Sequence, residues 1–237
     1  MMLQKLAFGL ILALSGPATA GVFGYDASLG SLPDAQGWTF IEDGAAVPVP
    51  TVSAGVLHQG LTDFSGYQYW SAHPGGMNFA SAPVTLDARL RIGFSSFSSF
   101  PRGGYDIALV DDDGRIALLN ISGGSVFLAN DPVTSVSAIV GFDTTDAFHD
   151  YRLVIGPTGA SLSIDGNLIV SHALGATGLG APGVEFGDAT ILGSSQSQLQ
   201  FLSVSPVNVA EPGAVGLFGM AFAGVAALGR RRNVKRV

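Results

Sequence analysis

Residues 84–94 alternate without a break. Val84, Leu86, Ala88, Leu90, Ile92 and Phe94 are apolar, and Thr85, Asp87, Arg89, Arg91 and Gly93 stand between them. A period of two over that length sends one set of side chains to a core and the other to water, which is the geometry of a β-strand. The same signature returns in shorter pieces. Tyr105, Ile107 and Leu109 alternate, Asp111-Asp112-Asp113-Gly114 turns the chain, and residues 115–121 return as the second arm of a hairpin. Residues 125–129 predict a further strand, and so do residues 148–155, which end at the turn Gly156-Pro157-Thr158-Gly159. Residues 160–164 and 167–172 predict a second hairpin around Asp165-Gly166, and 184–186 and 198–204 complete the set. Between the chain ends no long window carries a convincing helical period.

Short strands with turn signals every 8–12 residues or so predict a sandwich or barrel. A body of this length fits a two-sheet jelly roll, and the lack of an internal repeat argues against a propeller or solenoid. The expected fold is all-β: one antiparallel two-sheet β-sandwich over residues 21–205. Residues 22–83 are less regular and predict one or two strands (37–41 and 55–60) with long loops.

Both ends differ from the body. Lys5 precedes an apolar run over 6–14, and Ala18-Thr19-Ala20 forms an A-x-A site, so residues 1–20 predict a signal helix removed after Ala20. The segment 206–237 mirrors it. Residues 213–229 carry no charge, a length at the short end of what spans a bilayer, and Arg230, Arg231 and Arg232 follow at once. This predicts a C-terminal transmembrane helix with the basic tail on the cytoplasmic side. Pro212 disfavours helix at Glu211 and leaves Ala210-Glu211-Pro212 extended ahead of the span. This tail resembles the PEP-CTERM sorting segments of exopolysaccharide-producing Gram-negative bacteria. Ala210 replaces the first proline of the usual motif, while Glu211, Pro212 and the arginine cluster match. The resemblance implies recognition by an exosortase-type membrane protease, removal of the tail, and release or attachment at the cell surface. A plain membrane anchor is the competing reading.

The body carries 17 of the 18 acidic residues and five arginines, hence 5 − 17 = −12, with no lysine. Such a surface repels nucleic acid and anionic lipid and suits neutral polysaccharide or cations. Cysteine is absent, so stability rests on burial and pairing. Phe148-His149-Asp150-Tyr151-Arg152-Leu153 and then Ile164-Asp165-Gly166-Asn167-Leu168-Ile169 resemble paired strands of concanavalin A-like or laminin-G-like domains. The resemblance implies their sandwich fold, which hosts lectins, hydrolases and adhesion modules alike.

Chemistry-bearing motifs are sparse. Glycosidases of this fold place alternate acids on one strand, whereas Glu185-Phe186-Gly187-Asp188 spaces its acids three apart, on opposite faces. There is no thiol, no Gly-x-Ser-x-Gly elbow, and no ligand spacing among His58, His73, His149 and His172. These absences predict a non-enzymatic, structural or carbohydrate-associated role, with no cofactor. Asp111 and Asp113 are a candidate calcium pair, against the plainer reading of a hairpin turn. Tyr67, Tyr69 and Trp70 are the candidate glycan-binding residues, because aromatic rings stack on sugar C–H faces. The alternative for them is a core strand. The expected partners are the exosortase-type protease, the membrane before processing, and extracellular polysaccharide.

Overall fold

The computed structural model describes residues 22–44, 48–60, 66–74, 77–97, 104–130, 136–175, 181–188 and 193–206. Its strands are β1 (Phe23–Asp26), β2 (Thr39–Asp43), β3 (Thr51–Ser53), β4 (Val56–Gly60), β5 (Tyr67–Ala72), β6 (Val84–Phe97), β7 (Tyr105–Val110) and β8 (Ile116–Ile121). They continue with β9 (Ser125–Ala129), β10 (Val140–Gly141), β11 (His149–Gly156), β12 (Gly159–Ile164), β13 (Asn167–Ala173), β14 (Gly183–Asp188) and β15 (Gly193–Pro206). Two short 3-10 turns, Ala27–Leu29 and Pro33–Gln36, follow β1.

The strands form two antiparallel sheets in a jelly-roll-like sandwich. The first runs β13-β12-β11-β6-β15-β4-β3, with β1 also on β15; the second runs β10-β9-β8-β7-β14-β5-β2. β6 and β15 pair along their whole length, and β15 hydrogen-bonds β4 with its first half and β1 with its second. The predicted alternation over 84–94 is therefore the centre of the first sheet. Leu86, Leu90 and Ile92 face inward with Leu199, Leu202 and Val204 of β15 and Leu153 and Ile155 of β11. From the second sheet Ile107, Leu119, Leu128, Trp70 and Phe186 meet them. Trp38 closes the layer edge-on to Phe186, their ring centroids 4.7 Å apart.

Residues 22–83 hold β1 to β5, more than the one or two strands expected of them. The 37–41 strand lies at 39–43, and β3 with β4 makes a hairpin where one strand was expected. The expected signal and transmembrane helices lie outside the described residues, among which no helix is long and apolar enough to cross a membrane.

Asp165-Gly166 forms the tight turn of the β12–β13 hairpin, with φ of 50° and 80°. Positive φ at both central positions matches the strand twist, and Asp and Gly tolerate it. The turn is tied back to β11. Asp165 accepts from the backbone N–H of Asp150 at 2.9 Å, and its other oxygen lies 2.7 Å from Nδ1 of His149. Nε2 of His149 lies 2.8 Å from Asp146. A carboxylate only accepts, so both ring nitrogens must donate, which requires the imidazolium. Burial disfavours that cation, but the hydrogen bonds and charges of Asp165 and Asp146 outweigh it, and the pKa lies above the ordinary histidine value. A raised folded pKa gives stability that is complete below the unfolded value, about 6.5, and is lost as pH rises through the folded value. The thermal midpoint of the wild-type domain is therefore expected to fall across that window. His149→Gln is expected to flatten the decline, and an unchanged slope in the variant would refute the role assigned to the imidazolium.

Candidate functional site

The second sheet presents its outer face in two unlike halves. On β7, β8 and β9 the outward residues Ala108, Val110, Ile116, Leu118, Phe127 and Ala129 form an apolar layer, against which Val136 packs. Ser137 donates its N–H to Leu128 O at 2.8 Å, and its Oγ accepts from Leu128 N at 3.0 Å, holding that segment over the edge. β7 and β8 are consequently buried on both faces.

The other half, on β2, β5 and β14, is open. Strand alternation sends Trp70 inward and its neighbours outward, and register aligns them in rows. Thr39, Ser71, Glu185 and Ala108 form one row across β2, β5, β14 and β7. Ile41, Tyr69, Gly187 and Asp106 form the next. Tyr67 lies two residues from Tyr69 on the same face, the two rings 5.8 Å apart between centroids. Gly187, at φ 137°, is buried, and a Cβ there would press on Gln59 Nε2, Gln68 O and the Tyr69 Cα. This half thus offers two half-buried tyrosines and a part-buried carboxyl.

Glu185 is partly buried in this face, with Ser71 Oγ 3.5 Å from its Oε1. Burial pushes its carboxyl pKa up, opposed by the charge of His73 and the Ser71 contact. Burial, and secondarily the Glu185 charge, likewise raises the Tyr69 hydroxyl. Asp106, on the same face, accepts from Asn120 Nδ2 at 2.7 Å. Asp188 points the other way, into the sandwich, where it accepts from the backbone N–H of Ser195 at 2.9 Å. The expectation that Glu185 and Asp188 face apart is met.

Of the residues anticipated for glycan binding, Tyr67 and Tyr69 come together on the outer face and Trp70 does not. Trp70 is a core residue, 2% exposed, packed on Phe40 with centroids 4.6 Å apart. The calcium expectation meets a site already engaged. The wholly buried Asp111 takes Arg115 Nη2 at 2.6 Å and Nε at 3.0 Å, with the backbone N–H groups of Phe79, Asp113 and Arg115. Asp113 accepts from Asn78 at 3.1 Å. The turn is thus an ion-paired anchor between the 77–79 segment and the β7–β8 hairpin. Among the described residues no group of three or more His, Asp or Glu is placed to hold a metal. Ala18, Ala20, Ala210, Glu211, Pro212, Arg230, Arg231 and Arg232 lie outside the described residues.

Sequence reading did not place Glu185 and Asp106 on the same side of one sheet. A usable signal was present, since Val184-Glu185-Phe186 and Tyr105-Asp106-Ile107 each set an acid between two inward apolar residues. A carboxyl with a raised folded pKa contributes stability below its unfolded value and loses it as pH rises through the folded one. Glu185→Gln is therefore expected to raise the thermal midpoint at neutral pH and leave it unchanged near pH 4. Equal midpoints at neutral pH would show that Glu185 is not strained there.

No protein-family model matches the chain, and no curated protein matches it. Solved structures do match in fold. A carbohydrate esterase from the Shiga toxin-encoding bacteriophage phi24B aligns at TM-score 0.54 and 14% identity, over 78% of this chain and 99% of that one. A prokaryotic β-1,3-1,4-glucanase (lichenase) derived from a mouse hindgut metagenome aligns at 0.53 and 10%, with the same coverages of 78% and 99%. The cellulose-induced protein Cip1 aligns at 0.55 and 13%, over 77% and 96%. At these identities the likeness is one of fold. It overturns the expectation of a non-enzymatic chain, since that expectation rested on a missing single-strand acid motif. A lichenase and an esterase stand on this architecture, so the absence of that motif does not decide the matter. What this chain is similar to is thus a set of sandwich proteins that includes carbohydrate-active enzymes.

Proposed function

We propose that this is an exported, carbohydrate-associated β-sandwich whose glycan lies across the open half of the second sheet's outer face. One observation carries the reading. Tyr67 and Tyr69 stand side by side on a solvent-facing half-sheet, 5.8 Å apart, with Glu185, Ser71 and Thr39 in the neighbouring row. Rings so placed stack on the C–H faces of successive sugars, and the adjacent polar groups take hydroxyls. The charge of the body favours a neutral chain at this acidic face.

A second reading, cleavage of the bound glycan, is favoured by the carboxyl of Glu185. A general acid must hold its proton near working pH, and burial moves Glu185 in that direction. Asp106 is its diagonal neighbour on β7. Asp106 is itself buried and accepts from Asn120, so Glu185 is the carboxyl of the two that a glycan could reach.

The end segments supply the cellular part of the proposal. Residues 1–20 direct export, and Ala210-Glu211-Pro212 with the apolar run and Arg230-Arg231-Arg232 present the tail to an exosortase-type membrane protease. The mature protein is then a surface or secreted component that meets extracellular polysaccharide. Intact mass of the protein from its native host is expected to begin at Gly21 and end near Glu211 or Pro212; a mass retaining 213–237 would refute the sorting role.

Calorimetric titration with a mixed-linkage β-1,3-1,4-glucan oligosaccharide tests the site. Tyr69→Ala is expected to weaken binding about tenfold or more, and wild-type affinity in that variant would overturn the assignment. New reducing ends that appear with wild type and vanish in Glu185→Gln would establish cleavage. Binding without new ends would restrict the site to recognition.

A further inference from the structure

The outer face of the first sheet carries a different chemistry. On β4, β15 and β6 the leucines Leu57, Leu199 and Leu90 align and face the core. The next residues, His58, Gln198 and Arg91, therefore form an outward row, which Thr51 of β3 extends. Gly60, Gln196 and Phe94 form the row beside it. Between the rows lies a cavity of 290 Å³ with Thr51, His58, Gln196 and Gln198 as its polar walls and Gly60 and Gly93 among its lining residues. A Cβ at Gly60 would press on Gln196 Cγ at 2.9 Å, so glycine keeps the hollow open. Phe94, which follows the lining residue Gly93 and pairs with Gln196, is 47% exposed.

The charges on this face are nearly all cancelled. β6 and β11 carry Asp87, Arg89, Arg91, Asp150 and Arg152, and β4 and β15 carry none, so the local sum is 3 − 2 = +1 on a body of −12. Arg89 pairs with Asp150 at 2.8 Å and Arg152 with Asp87 at 2.6 Å. Arg115, elsewhere, pairs with Asp111 at 2.6 Å. Among the described residues Arg91 alone of the arginines has no carboxylate partner. Its guanidinium lies 5.9 Å from the Phe148 ring centroid, and its Nε is shut off from water with no hydrogen bond. A buried donor without a partner is costly, and a planar guanidinium is shaped to receive a carboxylate through two parallel bonds.

We propose that this face binds a uronic acid-bearing stretch of polysaccharide, with the sugar carboxylate on Arg91 and the sugar hydroxyls on Gln196, Gln198 and His58. Phe94 supplies the stacking edge. The site is on the opposite layer from Tyr67 and Tyr69. It rests on the glycan reading for the class of polymer alone; its place and its preference for a carboxylate come from Arg91 and the cavity.

The test is calorimetric titration of the protein with a short oligogalacturonide and, separately, with the neutral β-1,3-1,4-glucan oligosaccharide. Wild type is expected to bind the oligogalacturonide more weakly as salt rises. Arg91→Gln is expected to lose about tenfold or more of that affinity and Arg91→Lys to recover part of it. Gln196→Ala, a change at an exposed position, is expected to lose about threefold, and Tyr69→Ala nothing. Oligogalacturonide binding with no glucan binding would support this site and remove the Tyr67–Tyr69 reading. Glucan binding alone, or oligogalacturonide binding unaffected in Arg91→Gln and Gln196→Ala, would overturn this site and leave the other standing.

Discussion

The sandwich depends on the pairing of β6 with β15. The two strands run antiparallel from Val84 against Pro206 to Phe97 against Gly193. Every other strand of the first sheet hangs on one of them: β11, β12 and β13 beyond β6, and β4, β3 and β1 beyond β15. Their inward leucines, isoleucine and valine make the floor on which the second sheet rests. Each such side chain, fully buried, contributes about 1.5–3 kcal/mol, and without cysteine no covalent link shares the task. Register irregularities leave Gly93 of β6 unpaired opposite Gln196/Ser197 and Gln200 of β15 unpaired between Leu199 and Phe201. Such bulges bend a strand and re-aim its side chains, and the first of them adjoins the glutamine-walled cavity.

The two outer faces of this frame differ in charge and texture. The second sheet shows tyrosines and a half-buried carboxyl beside an apolar, covered half. The first shows crossed Arg–Asp pairs, amides and a lone arginine. A sandwich with one sugar-facing surface would hold a polymer at a single place. Two surfaces of unlike chemistry would let one molecule hold two chains, or two stretches of one chain, with the gain in apparent affinity that linked sites bring.

Much of the fold was legible in the sequence because burial on one face leaves a period of two. β6, β11 and β12 follow that rule, and the Asp-Gly and Asp-rich turns marked where strands end. It failed where polarity and burial part company. In β5 the inward positions are Gln68 and Trp70 and the outward ones Tyr67 and Tyr69, so hydrophobicity does not tell inside from outside. The alternation of Tyr105, Ile107 and Leu109 predicts one buried face for β7, yet Val136 packs against the outer layer of β7, β8 and β9, which no local pattern announces. The site was less legible still. Glu185 and Asp106, like Arg91 and Gln198, become neighbours only through pairings between strands far apart in the chain. His149 belongs to no ligand motif; its clamp needs Asp146 from the preceding loop and Asp165 from the turn that ends the neighbouring strand.

The position of β15 has a consequence for how the protein comes to be folded. It is the last described strand, it ends at Pro206, and it lies in the interior of its sheet with neighbours on both sides. β1 and β4, made first, have no hydrogen-bonding partner in that layer other than β3 until it arrives. Such distant pairings must bear the loop-closure cost before they are rewarded. Completion of the first sheet therefore waits for nearly the whole body to emerge, and until then the exposed edges of β4 and β6 are open to pairing with other chains. A chaperone that shields these edges would act on the one step this topology leaves to the end.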